Sequence, residues 1–361
     1  MGIKNDKTKI MNKFLSEIYE QSEALEHTLN FYTGSEGESL LKSIKEVFDA
    51  NGYEQIVFTG MGSSFFTSYA SMVLFNQLKL YSFATNASEL LHYNNSLLEK
   101  KTILVCSSQS GESFEIKELS KVIPDSAYCI GITNEPESTL AGDAKIALFT
   151  KAGKEEMTST KTYVSTLLVS YILGMYLSEN WNQVKVDNIK KLINRFSSTL
   201  TYCENWLDTA LGFLGELPAL QINARGPAFA TAQQSALMFK EAVKVAASGN
   251  LGGEFRHGPM EMVQQGFKSI MYAPKGKTFM QNIKMAEDIA RFEGKVLLIT
   301  NDKNFNPQSD NILKYYVEEE DEYLFAIQSI IPVQLFIDAY AKQRGFEAGS
   351  FSRGAKITVS E

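Results

Sequence analysis

The sequence predicts an α/β protein built from two tandem units, each a parallel sheet flanked by helices. Three observations carry that expectation. Short apolar runs alternate with helical segments along most of the chain, the pattern of parallel strands joined by helical crossovers. The runs fall into two sets that can be laid over one another. At 361 residues the chain is also long for one domain and ordinary for two.

Taken in order, residues 8–32 place Ile10, Phe14, Ile18, Leu25 and Leu29 near helical spacing, which predicts an N-terminal helix. The first set of strands is expected at 55–60, 80–85, 102–108, 128–133 and 145–150. A helical region rich in Leu, Tyr and Ile then runs from about 159 to 213, with a break around Asn180 and Asn182. The second set falls at 219–224, 268–273, 295–300 and 314–319, and a last helix over roughly 322–343 leads into a tail ending AKITVSE. The expected organisation is an N-terminal helix (1–34), a first unit (35–184), a second unit with its linking helix (185–343) and a C-terminal tail (344–361). Laying Gly62 on Gly226, an offset of 164, brings Phe65 onto Phe229, Thr67 onto Thr231, Ser71 onto Ser235 and Phe75 onto Phe239 without a gap. Each copy reads as strand, small-residue turn, helix, so the two units are read as a duplication.

The composition, 44% hydrophobic and 21% charged, is that of a globular protein with large cores. A formal net charge of -7 argues against a nucleic-acid partner or an anionic membrane surface. A bound anion must then be held locally, by amides, hydroxyls or single cations. Cys106, Cys129 and Cys203 have no paired spacing, so neither a disulfide framework nor a zinc site is expected, and no metal or cofactor is called for. Cys106 and Cys129 sit in apolar strand-like runs and read as core. The N-terminus has no apolar signal segment and no stretch of about 20 apolar residues occurs, so a cytoplasmic location is expected.

Two turns carry chemistry. In FTGMGSSFFTS (58–68), Gly60 and Gly62 allow a tight turn after a strand and set Ser63 and Ser64 at a helix N-terminus. Free N–H groups and the helix dipole there favour an anion, although an ordinary capped helix reads the same way. CSSQSGES (106–113) also follows a strand and precedes a helix. It gathers Ser107, Ser108, Gln109, Ser110 and Ser113 around Gly111, more polar side chains than a cap requires. Both turns belong to the C-terminal ends of neighbouring parallel strands, where open α/β sheets bind ligands. A neutral cradle rich in donors suits a phosphate monoester.

The run S-Q-S-G-E-S resembles the ligand loop of SIS (sugar isomerase) domains, and is similar in particular to the isomerase half of glutamine–fructose-6-phosphate aminotransferase. Further segments in the same order carry the resemblance: ESTLA (137–141), AGKE with STK (152–161), Lys240-Glu241, GEFRHGP (253–259) and the A-K-x-T-V-x-E tail. It implies two tandem flavodoxin-like SIS domains. It implies phosphate and sugar contacts at Ser64, Ser108, Gln109, Ser110, Ser113 and Ser159, with Ser63 beside them. It further implies a catalytic glutamate at Glu241, a ring-opening histidine at His257 and a C-terminal lysine at Lys356. A lysine that the synthase carries three residues before the glutamate is Met238 here.

The residues suit those implied roles. Moving a carbonyl between C1 and C2 needs a base that takes a proton from one carbon and returns it to the other, and a shielded carboxylate with a raised pKa is suited to that. His257 is one of three histidines, and it lies in a Gly-rich stretch (Gly249, Gly252, Gly253, Gly258) read as a loop able to enter a cleft. His27 and His92 fall in helical patterns. Lys356 is suited to a Schiff base if burial lowers its pKa.

The first cysteine is Cys106, and only about 50 residues precede the first strand, so glutamine hydrolysis by this chain is not expected. The resemblance implies an amino-sugar 6-phosphate isomerase or deaminase acting on a small sugar phosphate. Alternatives are a fructosamine-6-phosphate deglycase, a ketose/aldose isomerase, or a non-catalytic sugar-phosphate sensor. It also implies a homodimer in which the His257 segment enters the neighbouring subunit's site.

Overall fold

The structure, a computed structural model, describes residues 11–349 and Lys356. Helices α1 (Lys13–Tyr19), α2 (Gln21–Thr33) and α3 (Ser35–Asn51) open it. The single helix expected over 8–32 is therefore two, broken at Glu20, and residues 8–10 lie outside the described residues. Asn12 caps α1 by accepting the Leu15 N–H. Helix α3 has no counterpart in the sequence reading. Only Gly37, Leu41 and Ile44 of it are buried, too narrow a stripe to declare a helical face.

The first unit runs β1 (Gln55–Gly60), α4 (Ser63–Gln77), β2 (Ser82–Asn86), α5 (Ala87–His92), β3 (Thr102–Ser107), α6 (Phe114–Ser120), β4 (Ala127–Thr133), α7 (Thr139–Asp143) and β5 (Ile146–Phe149). Helices α8 (Lys161–Leu177) and α9 (Gln183–Leu214) follow. The second unit runs β6 (Ala219–Ala224), α10 (Ala228–Val243), β7 (Ala246–Leu251), α11 (Gly252–Arg256), β8 (Lys268–Ala273), α12 (Phe279–Arg291), β9 (Lys295–Thr300), β10 (Ile312–Tyr316), α13 (Glu322–Gln328) and α14 (Ile331–Gln343). The two sheets, β2-β1-β3-β4-β5 and β7-β6-β8-β9-β10, have five strands each and the same order. Every pairing is parallel. Two parallel sheets of one topology are what the tandem α/β reading requires.

The stretch read as a Gly-rich loop is corrected. Ala246–Leu251 is an edge strand paired with β6, Ile222 opposite Gly249, and Gly252 opens α11. The segment AASGNL carries no β-branched or aromatic residue, so nothing local announces a strand. Tertiary pairing makes it one. A Cβ on Gly249 would come within 2.9 Å of Gln233 Cα, so only glycine lets α10 lie this close. Two strands are displaced from the expectation, β2 beginning at Ser82 and β10 spanning Ile312–Tyr316. The expected last helix is two, α14 opening with Pro332 in its first turn. The run Glu322–Gln343 is long and apolar enough to cross a membrane by composition alone, at mean hydropathy 1.5. Its apolar window is 94% buried inside the fold, which marks a core helix.

One core joins the units. All of α8 except Tyr176 is buried, and such a helix, apolar all round, must be covered on every side. Each fully buried Leu or Ile there is worth roughly 1.5–3 kcal/mol over exposure. Tyr171 of α8 stacks on Tyr323 of α13 at 5.5 Å, and the Tyr323 hydroxyl donates to the Leu167 carbonyl at 3.0 Å. Helix α4 meets α10 where Tyr69 and Phe229 pack edge to face at 4.9 Å. At the other end of α10, Glu241 in the last turn lies against the strand ends of the first sheet, beside Ser64 and Ser108. Cys106 and Cys129 are buried in β3 and β4 as expected, and Cys203 is buried in α9.

Candidate functional site

Strand β1 delivers the chain to Gly62, whose φ of 50° places it in the left-handed region and turns the backbone into α4. No side chain caps α4, so Ser63 and Ser64 stand at a helix N-terminus that retains its affinity for an anion. Strand β3 delivers the second turn. Gly111 has φ 64°, and a Cβ there would lie 2.2 Å from Ser138 Oγ. Leu140 N–H donates to the Gly111 carbonyl at 3.1 Å. Within the turn, Ser108 Oγ accepts the Gly111 N–H at 3.1 Å and Ser110 Oγ accepts the Glu112 N–H at 3.2 Å. Glu112 accepts the Thr139 N–H at 2.6 Å and Lys117 Nζ at 3.0 Å, and these donors pull its carboxyl down to about 2. The hydroxyl cradle is thus a turn braced by its own hydrogen bonds and by those to Thr139 and Leu140.

The cradle forms one wall of a cavity of about 300 Å³. Ser63, Ser64, Ser108, Gln109, Ser110 and Ser113 line that wall, and Ser159, Glu241 and Lys356 line the rest. Glu241 lies in the last turn of α10 and accepts the Thr158 hydroxyl. Burial pushes its carboxyl above the usual range, partly offset by that hydroxyl and by Lys244, Lys356 and Lys240. Lys356 Nζ donates to Glu155 Oε2 at 2.7 Å and to the Met157 carbonyl at 2.7 Å. The Glu155 side chain is fully buried and also accepts the Thr160 N–H at 2.9 Å, the Thr162 N–H at 3.1 Å and the Thr162 hydroxyl at 2.6 Å. Gln234 of α10 donates to the Ser159 carbonyl at 2.9 Å, fastening the two units across the site.

His257 is not brought to the cavity. It caps the C-terminus of α11, is exposed, and lies outside the lining. His27 is exposed on α2, 3.8 Å from Glu23, and the His92 ring meets Tyr93. Met238 is fully buried in the core shared by both units, while Leu237 faces the cavity. Three polar lining groups escaped the sequence reading. Glu155 is the last residue of the AGKE segment and Thr158 precedes Ser159, so the signal was there but each side chain reads alone as surface. Glu115, in the first turn of α6, is buried and lines the cavity, and its Oε2 finds no hydrogen-bond partner. Among the described residues no group of three His, Cys, Asp or Glu side chains is placed to hold a metal ion.

Two parallel α/β sheets of one topology, with a braced, serine-rich turn at the strand ends of the first, make a tandem-unit α/β protein with a candidate ligand site between the units. The chain belongs to the SIS domain family, which it matches twice, over residues 52–175 and 218–341. It is similar to glutamine–fructose-6-phosphate aminotransferase [isomerizing] of Thermococcus kodakarensis, with 27% identity over 340 residues, 92% of this chain and 55% of the relative. The enzyme of the same description from Pyrococcus horikoshii gives 26% over 344 residues, 92% of this chain and 55% of that one. The chain therefore spans about half the length of these curated relatives. Its fold is shared with the C-terminal domain of glucosamine-fructose-6-phosphate aminotransferase from Francisella tularensis (TM-score 0.85, 22% identity, 96% of this chain and 99% of that one). It is shared likewise with glucosamine-6-phosphate deaminase from Thermotoga maritima (TM-score 0.75, 19%, 96% and 99%).

Proposed function

We propose that this chain is a phosphosugar isomerase that acts on an amino-sugar 6-phosphate and releases its amine. The observation that carries the reading is Glu241: a half-buried carboxylate of raised pKa faces a serine cradle across one sugar-sized cavity. In this reading Ser108, Ser110 and Ser113, with the α4 N-terminus, take the phosphate, and the opened sugar extends toward Glu241. Glu241 removes the C2 proton of the 2-amino aldose, and electrons shift to form the C1–C2 enaminol. The same carboxyl returns the proton to C1, giving the ketose imine. Water adds to the C=N carbon and ammonia leaves, so the ketose 6-phosphate remains. In this reading Lys356, which lines the same cavity, gives up a proton and condenses with the ketose carbonyl to a Schiff base, releasing water. His257 reaches a site only if a second copy of the chain presents it, so ring opening is assigned to a homodimer.

A second reading, removal of an amino acid from a fructosamine 6-phosphate, is favoured by one observation. A cleft of about 740 Å³ shares Gln109, Ser110, Glu155 and Lys356 with the cavity, which leaves room for a larger amine substituent. Offering amino-sugar phosphates and glycated amino-acid phosphates to the wild-type chain, and reading ammonia, amino acid and ketose phosphate released, tests both. No turnover on the panel, or equal turnover by Glu241→Gln, would sink the proposal.

A further inference from the structure

Outside both stretches that match the family, one fully buried carboxylate of the N-terminal helix meets the backbone beside the site. Glu17 of α1 accepts the Glu156 N–H at 2.6 Å with one oxygen and the Met157 N–H at 3.2 Å with the other. Those two residues lie between Glu155, which holds Lys356, and Thr158, which donates to Glu241. The Met157 carbonyl is the second acceptor of Lys356. A single carboxylate therefore grips the backbone from which both catalytic candidates are held. Helix α1 is itself anchored at its ends. Asn12 donates to Asp338 of α14 at 2.6 Å, Glu20 pairs with the buried Lys161 of α8, and Gln21 donates to Gln334 at 2.7 Å.

We propose that Glu17 is a positioning residue: by clamping the Glu156 and Met157 amides it sets where Thr158 meets Glu241 and where Lys356 is held. The assignment rests on the reading of Glu241 as the base, and a buried carboxylate is worth retaining only where its hydrogen bonds are all used. Burial raises the Glu17 carboxyl and the two amides lower it, with Glu155 raising and Lys356 lowering it further. Lys13 lies 3.5 Å from Glu156 on the outer side of the same backbone. Around Glu241 the facing groups are Thr158, Lys244, Lys356 and Lys240. If the clamp is released, the Thr158 hydroxyl leaves Glu241, which loses a donor to its charged form and becomes a weaker acid.

The test needs no substrate. Protein labelled with 13C at the glutamate carboxyl carbon is titrated by NMR, with the Glu241 signal assigned by its loss in Glu241→Gln. In Glu17→Gln an NH₂ faces a backbone N–H, and the Glu241 midpoint should move upward, as it should in Thr158→Val. Protection of the fold by inorganic phosphate should stay at the wild-type level in Glu17→Gln. If that variant does not fold, Glu17→Asp, which withdraws the carboxylate by one methylene, is read in its place. A wild-type Glu241 midpoint in a folded Glu17 variant overturns the proposal. Loss of phosphate protection does so too, because the change would then have disturbed the whole crevice. Should Glu241 prove not to be the base, turnover would survive Glu241→Gln while the coupled titration stood, so the two failures are distinct.

Discussion

Lys356 Nζ lies 2.7 Å from Glu155 Oε2, an ion pair that ties the C-terminal tail to the segment after β5, 201 residues earlier in the chain. Glu155 is fully buried but keeps four further donors, the N–H and hydroxyl groups of Thr160 and Thr162. Removing the lysine therefore leaves a charge that is still hydrogen-bonded.

Lys356→Met should accordingly fold, losing no more than about 1–3 kcal/mol in chemical denaturation, while losing turnover. Wild-type protein mixed with fructose 6-phosphate and borohydride should gain one hexose-phosphate adduct at residue 356 by mass spectrometry, and the variant none. An adduct at another lysine would reassign the role.

Glu241→Gln should lower kcat by about 10²–10⁴-fold with phosphosugar affinity nearly unchanged. It should also be more heat-stable than wild type, by a margin that widens as pH rises. The folded Glu241 carboxyl titrates above its unfolded value, so the native state binds more protons and wild-type stability falls as pH climbs through that window. A margin that shrinks with rising pH would contradict the assigned burial.

The same shift fixes one limb of the pH–rate profile. A base works deprotonated, so kcat/KM should fall as pH drops through a value above the ordinary carboxylate range. An acid limb at or below that range would mean another group limits the reaction.

Ser110→Ala removes a hydroxyl from the cradle and the acceptor of the Glu112 N–H. Inorganic phosphate and substrate should both bind about 1–3 kcal/mol more weakly, with kcat largely kept. Unchanged phosphate protection in thermal unfolding would displace the phosphate from this turn.

His257 lies outside its own chain's cavity, so the proposed homodimer makes a complementation test decisive. Mixing Glu241→Gln with His257→Ala protein under subunit exchange should regenerate activity, since shared sites gather both lesions into one pocket and leave the other whole. Verified exchange with no recovery would refute a shared site.

Much of this was legible in the amino-acid order. Apolar runs of strand length, and glycines at turns such as Gly62 and Gly111, depend on local geometry that sequence records directly. The offset of 164 between Gly62 and Gly226 recurs as β1 and β6, at the same positions in their two sheets. The hydroxyl cradle was readable for the same reason, because its serines are neighbours within two short turns, one after β1 and one after β3.

What only the tertiary structure decided depends on partners far apart in the chain. Strand β7 forms because β6 offers it a ladder, although AASGNL has little strand preference of its own. Glu17, Glu115, Glu155 and Thr158 each read as unremarkable polar residues until packing buries them or aims them at one cavity. The Glu241 carboxyl acquires its raised pKa from burial where α10 of the second unit closes over the first. Desolvation of a carboxylate is a property of everything packed around it, which no local stretch of sequence encodes.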